Sequence, residues 1–272
     1  MEILFNLFPG GAKLALTMSY DGGNRADERL VGIFNRHGIR GTFHLCNQVL
    51  EAEDGVGRSA VRQLYEGFEI SAHTVLHPFL DDIPASRLLR EILDNRMYLE
   101  ELAQAPVRGM SYPFGSASER VVRALPHYGI EYARTTGSAP GFQLPSDPLR
   151  WCPSCHHNQG LMAMAEAFIT GQGMSKRRLE RPRLLYVWGH SYEFDNKDNW
   201  DVMEAFCAYA GGREDIWYAT SIEILDYMKA LENLKFTARL DRVANPGALD
   251  VWLSVEGAAV RVPGGSQVLL QP

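Results

Sequence analysis

The stretch Leu14-Ala15-Leu16-Thr17-Met18-Ser19-Tyr20-Asp21-Gly22-Gly23, LALTMSYDGG, is a mostly apolar run that stops on one carboxylate and two glycines. A run of this length closed by glycines predicts a buried strand over 14–20. An acid at the carboxyl end of a buried strand reads in two ways. It is a cap for the following helix, or it belongs to a site, because parallel α/β sheets collect functional groups at their strand ends. The rest of the chain has to decide between these.

Working outward, strand-like runs alternate with segments of helical period along most of the chain, the pattern of repeated βα units around a parallel sheet. Strands are predicted at 14–20, 41–46, 68–72, 107–112, 130–135, 149–152, 184–189 and 216–220. Between them, ADERLVGIFNRHG places Leu30, Ile33, Phe34 and His37 on one stripe before Gly38, and PASRLLREILDNRMYLEELA repeats apolar residues at Leu88, Leu89, Ile92 and Leu93. Seven or eight such units predict a (β/α) barrel over 1–232. From about residue 233 the texture changes to short alternating runs broken by Asn-Pro-Gly, Glu-Gly and Pro-Gly-Gly, which predicts a small β appendix over 233–272 packed on the barrel. Its apolar VWLSV run suits either a cover for a barrel edge or a contact between two copies of the chain.

The 272 residues are 46% hydrophobic, enough to bury a sizeable core. Acidic residues outnumber basic ones 33 to 27, and no Lys/Arg-rich block stands out, so no footprint for nucleic acid or an anionic membrane is expected. The opening MEILFNLFPGG lacks a basic leader and a cleavage site, and no segment approaches about 18 uninterrupted apolar residues, so the chain reads as cytoplasmic. Four scattered cysteines, Cys46, Cys152, Cys155 and Cys207, suit reduced thiols.

Several other strand ends carry polar groups. His73 closes FEISAH, His190 closes LLYVWGH, and SYPFG makes a rigid turn from Ser111 to Gly115. HTVLH sets His73 and His77 four residues apart, a spacing that brings two imidazoles within reach of one ion; packing or capping is the bland reading. WCPSCHHN holds Cys152, Cys155 and His156 in a C-x-x-C-H pattern of haem attachment, or of a zinc knuckle, but neither has support elsewhere in the chain. A pocket-lining role for His156 or His157 is the better reading. Trp151, Trp188 and Trp200 are either sugar-stacking surfaces or core. Tyr192 and Glu193 follow His190 and either orient its imidazole, touch substrate or cap a helix.

In order, LTMSYDGG, HTVLH, SYPFG and WGH resemble the successive motifs of the polysaccharide deacetylase family, also called the NodB homology domain, over roughly residues 13–225. The resemblance implies a distorted (β/α) barrel that hydrolyses an N- or O-acetyl group from a sugar or oligosaccharide with the help of a divalent metal, zinc above all. It implies that Asp21 is the general base, that His73 and His77 hold the metal, that His190 is the general acid, and that the Phe114 amide binds the oxyanion. Tyr112, Arg134, His156, His157 and Trp188 are the candidate substrate contacts.

Two departures stand out. The second Asp of the family's T-F-D-D-G motif, a metal ligand, falls on Gly22, and the Arg of its third motif, the partner of the base, falls on Ser111, with Arg134 as a substitute if it points into the barrel. Three outcomes follow: a metal-assisted deacetylase of weakened metal affinity, in which Asp21 itself turns to complete a His-His-Asp site and water or another group is the base; a metal-independent amidohydrolase like the allantoinase branch; or an inactive carbohydrate-binding pseudoenzyme. On this reading Gly22→Asp restores metal affinity and rate.

Overall fold

The computed structural model describes residues 1–139 and 141–270. Eight parallel strands form one strongly curled sheet: β1 (Leu14–Gly22), β2 (Gly41–Leu45), β3 (Glu69–Ala72), β4 (Gly109–Ser111), β5 (Tyr132–Arg134), β6 (Cys155–His156), β7 (Arg183–Gly189) and β8 (Ile216–Tyr218). The order across the sheet is β5-β4-β3-β2-β1-β7-β6, with β8 alongside the first half of β1. This is a distorted (β/α) barrel. No helix among the described residues is long and apolar enough to cross a membrane.

One predicted strand is corrected. Residues 148–150 form a 3₁₀ turn, where Pro148 fixes the backbone and lacks an N–H, and only Trp151 makes a parallel bridge, to Arg134. The strand lies just beyond, at β6, so His156 sits on a strand and not after one. The segment from Trp151 to His157 spans the two edges of the sheet. Its Trp151 amide donates to the Ala133 carbonyl (2.9 Å) and its Ser154 amide to that of Tyr186 (2.8 Å).

β1 is buried along its whole length, and its side chains alternate between two environments. Leu16, Met18 and Tyr20 join the core between sheet and helices, against Leu30, Ile33 and Phe34 of α1 (Ala26–His37). Thr17, Ser19 and Asp21 lie on the other side, inside the barrel. The interior is polar there: Ser19 Oγ lies 2.8 Å from His44 Nε2, and the Tyr186 hydroxyl is 3.4 Å from Ser19 Oγ. The same alternation sends the Gly22 position outward.

The long helix α2 (Ala85–Ala103) packs on the barrel through a stripe that includes Leu88, Ile92 and Leu99 and also two buried polar residues, Glu91 and Asn95. At the end of the chain lie two three-stranded antiparallel sheets. In one of them the strand Val251–Val255 lies between Ala258–Val262 and the N-terminal strand Ile3–Leu4. Val251, Leu253 and Val255 are buried in a cluster with Phe8, Leu184 and Tyr227, so the apolar face of VWLSV is spent within the chain.

Candidate active site

Asp21, His73, Arg134 and His190 come from β1, the ends of β3 and β5, and the end of β7, and they meet inside the barrel mouth. Asp21 is buried and its two oxygens have different work. Oδ1 accepts from Ser111 Oγ (2.7 Å) and from Arg134 Nη2. Oδ2 faces two imidazoles, with His73 Nε2 at 3.9 Å and His190 Nε2 at 3.7 Å. Burial alone would raise the carboxyl, but Arg134, His73 and His190 outweigh it and hold Asp21 well below the usual carboxylate range.

Arg134 fills the place of the missing motif-three arginine from a different strand. It is fully buried, and its guanidinium stacks 4.5 Å from the Trp188 ring. Ser111 keeps a role at its own position, since its Oγ also lies 2.7 Å from His73 Nδ1. A hydroxyl that donates to Asp21 accepts from Nδ1–H, which leaves His73 Nε2 as a bare lone pair. Burial pushes His73 down to about 4, so the ring is neutral at neutral pH.

His190 is set up in the opposite sense. Its Nδ1 lies 2.6 Å from Glu193 Oε1, at the start of the short helix Tyr192–Lys197. A carboxylate there fixes Nδ1–H and leaves Nε2 facing Asp21, the orientation an acid needs. Glu193 also faces two further histidines, with His156 Nε2 3.3 Å from Oε1 and His157 Nε2 3.4 Å from Oε2. Burial would raise Glu193, but His156, His157 and His190 hold it far below the ordinary carboxylate range.

The HTVLH loop is shaped by α2, through residues that the sequence reading passes over. Asn95 Oδ1 accepts from the amides of His73 (3.0 Å) and Thr74 (3.1 Å), and Glu91 Oε2 accepts from those of Val75 (3.0 Å) and Leu76 (2.9 Å). The loop needs that support, because Thr74 (φ 69°) and His77 (φ 54°) both sit in the left-handed region. Phe114 in the opposite turn does the same at φ 58° and stacks on Phe79 at 3.9 Å. Asn95→Ala is expected to cost about 1–3 kcal/mol by stranding the buried Thr74 amide, while the His73 amide keeps the Leu45 carbonyl (3.2 Å); it is read as a lower urea midpoint, with slower turnover as the loop that carries His73 loosens.

The other candidate contacts divide. Trp188 and His156 lie beside His190, with ring centroids 5.8 and 6.5 Å from it. Tyr112 is buried and spends its hydroxyl on the Leu149 carbonyl (2.7 Å). His157 is 1% exposed and lies stacked between Tyr20 and Phe194, behind β7. A Cβ on Gly189 would sit 2.0 Å from His157 Nδ1, so the glycine of WGH lets this ring approach.

The metal that the resemblance implies does not find three donors at the position expected. His73 and His77 are in edge contact, with centroids 4.6 Å apart, but Gly22 offers no atom and Asp21 is already paired with Arg134. Nor is there room for a carboxylate at position 22, since a Cβ there would lie 2.4 Å from Asp27 Oδ2 and 3.2 Å from Phe43. Asp27 itself is buried and saturated, accepting from the Gly23 amide (2.7 Å), Tyr65 (2.6 Å) and Ser191 (2.5 Å). Among the described residues, the one group that draws three ligand atoms within 4.8 Å of one another is His156, His157 and Glu193.

Comparison with known proteins fits this arrangement. The polysaccharide deacetylase family model matches residues 10–133. No curated protein matches the chain. Among solved structures, a protein named as a polysaccharide deacetylase from Mycobacterium smegmatis shares 15% identity and a TM-score of 0.60, over 83% of this chain and 93% of that one. A CE4 family pseudoenzyme from Bacillus anthracis shares 13% identity and a TM-score of 0.52, over 80% and 67%. A polysaccharide deacetylase from Bacillus cereus shares 20% identity at a TM-score of 0.42, over 44% of this chain, and the chain spans only 40% of its length. Residues 10–133 match the polysaccharide deacetylase family model, and the barrel fold is similar to that of the Mycobacterium smegmatis structure over most of the chain.

Proposed function

We propose that the protein is a hydrolase that removes an acetyl group from an N- or O-acetylated sugar or oligosaccharide, with Asp21 as base and His190 as acid. The observation that carries this reading is the single free oxygen of Asp21. Oδ1 is anchored by Ser111 and Arg134, while Oδ2 faces His73 Nε2 and His190 Nε2 across 3.9 and 3.7 Å. With Nδ1–H on each ring, Oδ2 and the two Nε2 atoms surround one point, and a water molecule is the simplest occupant.

Asp21 takes a proton from that water as it attacks the acetyl carbonyl. Arg134, fixed on Trp188, holds the carboxylate in orientation. Asp21 passes that proton to His190 Nε2, which it faces, and His190 gives it to the departing amine or alkoxide while Glu193 holds the ring through Nδ1. The Phe114 amide, held by a left-handed turn, is the proposed oxyanion donor. An ion at His73 and His77 would have only two imidazoles from the protein, so retention there is weak, and no step above depends on it.

Gly22 favours a second reading, a sugar-binding pseudoenzyme. A mutant of the Bacillus anthracis pseudoenzyme is described as having restored enzymatic activity, so silent members of this fold exist. Acetate release from N- and O-acetylated oligosaccharides, measured with and without added zinc, decides between the two. Release above the uncatalysed rate supports the hydrolase. Saturable sugar binding with no acetate under either condition supports the pseudoenzyme.

A further inference from the structure

Glu193 does more than serve His190. It projects between two other rings, and the three side chains converge from different elements: His156 from β6, His157 from the residue after it, and Glu193 from the helix after β7. Oxygen–nitrogen separations of 3.3 Å (His156) and 3.4 Å (His157) are notable. The first is to Oε1 and the second to Oε2, and one ligand atom from each residue lies within 4.8 Å of the others; four-coordinate bonds of about 2.0–2.1 Å place neighbouring donor atoms about 3.3 Å apart, so each separation has the length of one edge of a small coordination polyhedron.

His157 supplies an independent reason. Its ring is 1% exposed, and its Nε2 has no hydrogen-bond partner. Nδ1 lies 3.2 Å from the Tyr20 hydroxyl. In the tautomer that donates from Nδ1 to Tyr20, Nε2 presents a bare lone pair toward the Glu193 carboxylate. The other tautomer accepts from the Tyr20 hydroxyl at Nδ1 and points Nε2–H at Glu193, so the proton on Nε2 occupies the place that a cation would take between ring and carboxylate. The ring is clamped by Tyr20 and Phe194, so it cannot swing away. Glu193 is further fixed by His190 (2.6 Å) and by the Asn158 amide (2.5 Å), with exposed Lys197 at 4.0 Å as a competing cation. His156 is half-buried, so the third side of the group is open to solvent.

We propose that His156, His157 and Glu193 form a binding site for a first-row divalent cation, zinc by preference, beside the Asp21–His190 centre and distinct from the His73–His77 pair. Two neutral imidazoles and a carboxylate suit such an ion and leave a further position for water. The site lies behind His190 and shares Glu193 with it, so a bound ion would bear on the acid rather than on the attacked carbonyl. Its existence does not depend on which bond the enzyme cleaves, and it is read without turnover.

The test is titration of the chelator-stripped full chain with zinc chloride alone, followed by calorimetry and elemental analysis after dialysis. The wild type is expected to hold one equivalent. His156→Gln removes a half-buried ligand without disturbing the packed ring of His157, and should weaken binding by about 100-fold or more. Glu193→Gln keeps the shape of the side chain and serves as a second variant, read if His156→Gln fails to fold by circular dichroism. His77→Gln should retain the equivalent. Loss in the His156 or Glu193 variant with retention in His77→Gln supports the site; every other pattern, including no stoichiometric zinc on the wild type, overturns it. Acetate release without bound zinc would leave the hydrolase reading standing while removing this one.

Discussion

Asp21→Asn is expected to lower acetate release by about 10²–10⁴-fold, the usual worth of a positioned base, and at the same time to weaken the fold. The second effect has its own cause. Arg134 is fully buried, and Asp21 is the acid it pairs with. Neutralising that acid leaves a guanidinium in the barrel interior, at a cost of about 3–5 kcal/mol. Urea midpoints and acetate release measured on the same preparations report both. The two losses are separable, because Asp21→Asn combined with Arg134→Gln removes the stranded charge and should recover much of the stability while turnover stays absent. Turnover retained in the single variant would remove Asp21 from the chemistry. Turnover recovered in the pair would mean that the carboxylate acts only by holding Arg134.

Gly22→Asp carries the other large expectation, and the structure reverses what the sequence reading expects of it. On the family's pattern the new carboxylate should restore metal affinity. Alternation along β1 instead turns position 22 outward, where Asp27 Oδ2 and Phe43 occupy the space. Asp27 cannot step aside cheaply, since Gly23, Tyr65 and Ser191 all hold it. The variant is expected to lose about 1–3 kcal/mol by overpacking, seen as a lower thermal midpoint, without a gain in zinc affinity. In Gly22→Asp with Asp27→Ala, the new acid replaces the old as acceptor for those donors, and most of the loss should return. A single variant as stable as the wild type that binds zinc tightly would show that position 22 still reaches the site.

Much of this was legible in the sequence. LALTMSYDGG reads as a buried strand closed by an acid that is either a cap or part of a site, and the strand runs from Leu14 to Gly22 with Asp21 inside the barrel. The apolar stripe of α1 ends at Gly38, which takes the left-handed cap conformation at φ 64°. His73 and His190 lie where their strand ends put them. What was hidden depends on contacts between distant segments. Arg134 shows itself as the partner of Asp21 only once β5 is known to face β1. Glu91 and Asn95 were the most readable of the missed residues, because they sit four apart on the stripe of Leu88, Ile92 and Leu99, and a polar residue on an apolar stripe asks for a partner. The strand at Cys155–His156 is two residues long, too short for any periodicity, and only its pairing with Val187 and Trp188 reveals it.

The pairing of Ile3 with Val255 and of Leu4 with Ser254 sets an order of assembly. These contacts close a loop from residue 3 to residue 255, so almost the whole described chain lies between the paired strands. Loop-closure entropy over such a span places this docking late.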